Sequence, residues 1–112
     1  MKILIDENLP LALKKHFGDF HETYTAREMK WNGKKNGELL GLMTLAGFDV
    51  FVTMDKALPA QQNLEKFGIA VFILRGQNNK LETLSELIPL VLEKLKAGVV
   101  LGVIEISRRP KT

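Results

Sequence analysis

The chain contains no cysteine, which excludes disulfide scaffolds, thiolate zinc sites and cysteine nucleophiles. Histidine occurs only as His16 and His21. Neither stands near a predicted strand end, so both read as surface residues. Apolar runs are short, Ile69–Leu74 being typical, and a membrane-spanning helix needs roughly 20 such residues. At the start, Met1-Lys2-Ile3-Leu4-Ile5 is cut by Asp6 before a signal-peptide core can form. These absences predict a soluble, cytoplasmic protein. What is present is ordinary for a globular chain: 112 residues, 46% hydrophobic and 26% charged. That length matches one domain with its own core, and that composition excludes wholesale disorder.

The net charge of +3 has a location. Residues 1–107 carry 13 basic and 13 acidic side chains, so the excess lies in Arg108, Arg109 and Lys111. The sequence therefore reads as a single domain over 1–107 with a basic tail over 108–112. Within the neutral body, Arg27, Lys30, Lys34 and Lys35 face one acid, Glu28, around the only tryptophan, Trp31. Such a segment is either a solvated loop or an electrostatic footprint for an anionic partner.

Ile3-Leu4-Ile5 is a short β-branched run and reads as a buried strand. Asn8 is placed to cap a helix carrying Pro10 in its first turn and Leu11, Leu13 and Phe17 as apolar positions, closed by Gly18. Glu22 to Thr25 is a weaker second strand. Asn36 is a good cap for a helix over 37–46 that ends at Gly47. Val50 to Thr53 is a third strand, Ala60 to Phe67 a helix, and Ile69 to Leu74 a fourth strand. Leu81, Leu84, Leu87, Ile88, Val91, Leu92 and Leu95 follow helical spacing; Pro89 predicts a kink or a restart there. Val99 to Ile106 is the last strand, whose apolar edge suggests a homodimer. Strands alternating with helices predict an α/β protein, a three-layer α/β/α sandwich on a mainly parallel sheet of about five strands.

In such sheets functional groups gather beyond the carboxyl ends of the strands. The first strand ends in Asp6-Glu7-Asn8 and the third in Thr53-Met54-Asp55, while Glu38 falls in the first turn of the intervening helix. Each acid has a bland use, as a turn former or as a partner of the helix dipole. Converging in one cleft, Asp6, Glu38 and Asp55 would repel one another unless a cation neutralised them. Oxygen ligands suit Mg²⁺ or Mn²⁺, which orient water and stabilise charge on a phosphodiester. Trp31 is open to two roles: stacking on an unpaired base, or anchoring its loop on the domain.

Asp6-Glu7-Asn8-Leu9-Pro10, the stretch from Met29 to Leu40 (MKWNGKKNGELL), Asp49 to Asp55 (DVFVTMD), Leu58-Pro59, Gln61-Gln62-Asn63-Leu64 and Ile69 to Arg75 (IAVFILR) resemble the PIN-like family of small bacterial proteins. The likeness covers nearly the whole chain. It implies an α/β/α sandwich and a Mg²⁺- or Mn²⁺-dependent ribonuclease, with toxins held by a partner antitoxin among its relatives. Carried over by position, the first-strand Asp of the family corresponds to Asp6, the helix acid to Glu38 and the Thr-x-Asp acid to Asp55. Glu7, Asn8 and Thr53 stand beside them, and Lys30, Trp31, Lys34, Lys35 and Arg75 would contact nucleic acid. The family adds a further acid shortly after the Thr-x-Asp element. Here Lys56, Ala57, Leu58, Pro59 and Ala60 supply none, which leaves Glu7 as the nearest substitute and one metal rather than two.

Three functions are therefore expected in competition. The first is a metal-dependent endoribonuclease, as the toxin of a toxin–antitoxin pair. The second is a catalytically inactive module of the same fold that binds RNA or protein. The third is a receiver-like phosphoacceptor domain, suggested by the Asp6-Glu7 pair and Asp55. Receivers place Thr or Ser after the fourth strand and Lys after the fifth, where this chain has Arg75-Gly76 and Ser107-Arg108.

Overall fold

A computed structural model describes residues 1–61, 63–98 and 101–108. Five strands, β1 (Lys2–Ile5), β2 (Glu22–Thr25), β3 (Val50–Thr53), β4 (Ala70–Arg75) and β5 (Gly102–Ser107), alternate with helices. The helices are α1 (Asn36–Leu45), α2 (Leu58–Gln61), α3 (Leu81–Ser85) and α4 (Ile88–Ala97), with 3₁₀ stretches at Leu11–Phe17 and Leu64–Phe67. The strands form one sheet in the order β2-β1-β3-β4-β5, and every pairing is parallel.

The layers follow from side-chain alternation along the strands. Ile3, Ile5, Val50, Val52, Phe72 and Leu74 point to one face. There they pack against Leu13 and Phe17 of the first 3₁₀ stretch, Leu84 of α3 and Ile88, Val91 and Leu95 of α4. Leu4, Phe51, Val71 and Ile73 point to the other face, under Leu39, Leu40 and Met43 of α1, Leu58 of α2 and Leu64. Both faces are covered, so the central strands are apolar without alternation, as parallel strands must be. The expected three-layer α/β sandwich is what the chain forms. Among the described residues no helix is long and apolar enough to cross a membrane.

Several local expectations are corrected. The segment after β1 is a 3₁₀ helix whose N-cap is Pro10, in extended conformation and with no side-chain cap. Leu9 N–H closes a turn onto the Asp6 carbonyl at 3.1 Å, which leaves Asn8 exposed and two residues short of the capping position. The helix expected over 60–67 is two pieces that begin earlier, at Leu58. Extended backbone at Asn63 (ψ 93°) separates them, and Pro59 sits in the opening turn, where its fixed φ is tolerated. Over 81–95 the helix does restart: α4 begins at Ile88 with Pro89 in its first turn. The last strand begins at Gly102; Val99 and Val100 lie outside the described residues, as do Gln62, Arg109 and Lys111.

One glycine is required by space. A methyl group on Gly76, just past β4, would come within 3.0 Å of the Asn78 carbonyl oxygen and of Leu84 Cδ2. A side chain there would force these neighbours to give by a few tenths of an ångström.

Candidate functional site

The strand order puts the topological switch between β1 and β3: from β1 the chain moves outward to β2, then returns to the far side at β3. In doubly wound sheets the crevice at this point is where ligands bind. Ile5 lies opposite Val52 in the β1–β3 register. The ladder runs one residue further, because Asp6 N–H donates to the Val52 carbonyl at 2.9 Å. Asp6 shares the facing of Leu4 and Thr53 that of Phe51, so both rise on the α1 side of the sheet, where Asn36 of α1 also reaches Asp55.

A single hydroxyl joins the two acids. Thr53, fully buried, donates its Oγ1–H to Asp6 Oδ2 at 2.6 Å. The same oxygen accepts the backbone N–H of Asp55 at 3.0 Å. The remaining carboxylate oxygens also have donors. Asp6 Oδ1 accepts the Glu7 N–H at 2.8 Å, Asp55 Oδ1 accepts the Ala57 N–H at 3.0 Å, and Asp55 Oδ2 accepts Asn36 Nδ2–H at 2.9 Å. Asp6 is 9% exposed. Burial raises its carboxyl pKa above the ordinary value. The hydrogen bonds from Thr53 and the Glu7 backbone oppose that rise, and the negative charges of Glu7 and Asp55 add to it. A buried acid with a raised pKa beside a second acid at the switch point of the sheet is a candidate site on physical grounds.

Of the expected ligand residues, the structure brings together Asp6, Thr53 and Asp55. Glu38 is elsewhere: its side chain is 56% exposed and pairs with Lys34 Nζ at 3.0 Å, one helical turn back. Among the described residues no group of three or more His, Asp or Glu side chains is placed to hold a metal ion. The expected three-carboxylate cluster is thus a two-carboxylate site in this structure. Glu7 does not fill the gap either, because both its carboxylate oxygens accept the Gly33 N–H, each at 3.0 Å. Asn8 is exposed. Tested against a cation, the donor set fits one hard ion. Two carboxylates whose oxygens each keep a free lone pair match the way Mg²⁺ binds, through one or two acids plus water and phosphate oxygens.

The basic segment is tied down at several points. Thr25 and Glu28 cap each other reciprocally: Glu28 N–H donates to Thr25 Oγ1 at 3.1 Å and Thr25 N–H to Glu28 Oε1 at 3.0 Å. Lys14 binds the same Glu28 carboxylate, and that hydrogen bond is the main cause of its lowered pKa. Trp31 packs edge-on to Phe48, ring centroids 5.7 Å apart, and lies partly buried against the α1-side core. Its role as a loop anchor is therefore built into the fold. Glu7 then holds Gly33 beside the end of β1. Lys30 and Lys35 are exposed, and among the described residues neither is in an ion pair, whereas Lys34 is held by Glu38. Arg75 stands at the end of β4 on the same sheet edge and pairs with Glu105 of β5 at 2.9 Å.

Asn36 is the site member that sequence reasoning assigned elsewhere. Its residue type signals a cap, yet Lys35 occupies the N-cap position and no side chain caps α1. The Thr25–Glu28 pair, by contrast, carries a readable T-x-x-E signature. β4 and β5 end in Arg75 and Ser107, so the edge lacks the Thr or Ser and the Lys that a receiver domain places there. Comparisons of the chain with models of known families, with curated proteins and with solved structures returned no match.

Proposed function

We propose that this protein is a PIN-like, Mg²⁺- or Mn²⁺-dependent endoribonuclease of the cytoplasm, with Asp6 and Asp55 as its metal-holding carboxylates. The observation that carries the reading is their position: two acids at the switch point of a doubly wound sheet, fixed by one buried hydroxyl. The likeness of the Asp6–Pro10 and Asp49–Asp55 segments to that family supports it.

Asp6 and Asp55 would hold a divalent ion, which when bound would supply an acidified water and stabilise charge on the phosphodiester. The chain's own residues do the rest. Thr53 sets the spacing of the acids and donates to Asp6, keeping that buried carboxylate ionised more than burial alone would allow. Lys35 and Lys30 meet phosphate oxygens flanking the scissile bond, and Arg75 exchanges its exposed Glu105 partner for a phosphate further along the edge. Glu7 positions the basic loop by fixing Gly33. RNA is the proposed substrate and, for a toxin component, a protein antitoxin the partner.

The test is cleavage of single-stranded RNA in Mn²⁺ and in chelator, by the wild type and by Asp55→Asn. Cleavage that requires Mn²⁺ and is lost in the variant supports the reading. Cleavage that persists in chelator, or none under any condition, removes it.

A second reading has its own observation. All four oxygens of the pair already have protein donors, and a site so satisfied stands without a cation. A module that binds RNA without cutting it fits this arrangement, and RNA retention that is indifferent to Mn²⁺ would favour it.

A further inference from the structure

Asn36 opens α1, and the local rules of helix ends give such a residue an obvious use: its oxygen would accept a backbone N–H of the first turn. It does not take that use. The side chain instead reaches across to the end of β3, and Nδ2–H donates to Asp55 Oδ2 at 2.9 Å across 19 residues of sequence. The contact is directional and half-buried, and it puts the positive end of an amide dipole against an acid whose other oxygen is held by the Ala57 N–H. Glu38, two residues on, is turned to solvent and to Lys34.

We propose that Asn36 sets the cation affinity of the Asp6–Asp55 pair, as the third position of the site carrying a neutral amide. The inference rests on the reading of that pair as a metal site. An amide at this place partly neutralises Asp55 in the absence of a cation. A carboxylate of nearly the same shape would do the reverse, adding a third negative charge at hydrogen-bonding distance from Asp55. Without a cation such a charge is repelled, and with one it becomes a ligand. Affinity of oxygen sites for divalent ions rises with the number of charged ligands. Asn36 thus trades cation affinity for a site that is stable when empty. The position two residues later, at Glu38, has no such control.

The experiment uses the full chain and MnCl₂ alone. Calorimetric titration and thermal melts compare the wild type with Asn36→Asp and Glu38→Gln. N36D is expected to tighten Mn²⁺ binding by about tenfold or more, to lower the melting temperature in chelator, and to recover it in Mn²⁺. E38Q is expected to leave the Mn²⁺ affinity within about threefold of the wild type, since Glu38 is turned to solvent and paired with Lys34. An N36D affinity equal to the wild type, or an E38Q loss as large as the N36D gain, overturns the proposal. If N36D is unfolded in chelator, refolding on addition of Mn²⁺ supports it and failure to refold overturns it. The outcomes separate this proposal from the nuclease reading. Tight Mn²⁺ binding by N36D with no RNA cleavage by the wild type upholds the role of Asn36 and removes the enzyme, whereas metal-dependent cleavage with an unresponsive N36D does the opposite.

Discussion

Replacing Thr53 with valine keeps the shape of a fully buried side chain and removes only its hydroxyl. Two hydrogen bonds go with it: the 2.6 Å donation to Asp6 Oδ2 and the 3.0 Å acceptance of the Asp55 N–H. The first is made to a charged group, worth about 1.5–3 kcal/mol, and the second is of the ordinary kind, near 1 kcal/mol. Valine offers neither Asp6 nor the Asp55 N–H a replacement, and the added methyl returns part of the loss. A destabilisation of about 2–4 kcal/mol follows. For a chain of this size it lowers the melting temperature by about 8–16 °C. Thr53→Ser keeps the hydroxyl and loses one methyl, costing about 1 kcal/mol. Because the Thr53 hydroxyl holds the Asp6 pKa down, it favours the charged form, and the T53V deficit grows as pH rises from 4 to 7. Chemical denaturation of wild type, T53V and T53S at both pH values reads all of this. A T53V protein as stable as the wild type, or T53S less stable than T53V, refutes the account of Thr53 as the link between the acids.

Asp6 gives a second pH signature. Its folded pKa is raised above the ordinary 3.8, so across that window the folded state holds more protons than the unfolded, and its contribution to stability falls as pH rises. Asp6→Asn lacks this term; its melting temperature relative to wild type should climb between pH 4 and pH 7, and a flat difference contradicts the burial argument. If RNA lies along the basic loop, Lys35→Ala should weaken binding across sequences and reduce the slope of log affinity against log salt by about 0.7, the single-strand value per phosphate. An unchanged slope places the RNA elsewhere.

Much of this architecture was legible because burial on both faces writes itself plainly. Ile3-Leu4-Ile5 and Val50-Phe51-Val52 have no polar positions, so they had to be central parallel strands. Once they were, Asp6 and Asp55 had to share an edge. The faults came where a local rule was satisfied by a distant partner. Asn8 and Asn36 both carry the side chain of a cap, but a turn displaced the first and Asp55 claimed the second. Glu38 had the right residue type in the right turn, and only the placement of Lys34 four residues earlier shows why it faces outward. Glu7 reads as a spare acid until the loop folds back and brings the Gly33 N–H to it. The contacts of Asn36 with Asp55 and of Glu7 with Gly33 are neither periodic nor local, so composition and spacing carry no trace of them. The Asp6–Leu9 turn and the Lys34–Glu38 pair are local, and their spacing was open to reading. Trp31 was open to two roles for the same reason, and its packing on Phe48 supplies the anchoring one.

The central claim is that Asp6 and Asp55 form a cation site at the switch point of the sheet. Calorimetric titration of the full chain with MnCl₂, repeated on Asp55→Asn, tests it most directly. The account predicts a saturable heat with one ion per chain in the wild type and none in the variant, whose fold is intact by circular dichroism. Equal heats in the two proteins, or no binding by the wild type at millimolar Mn²⁺, would contradict it.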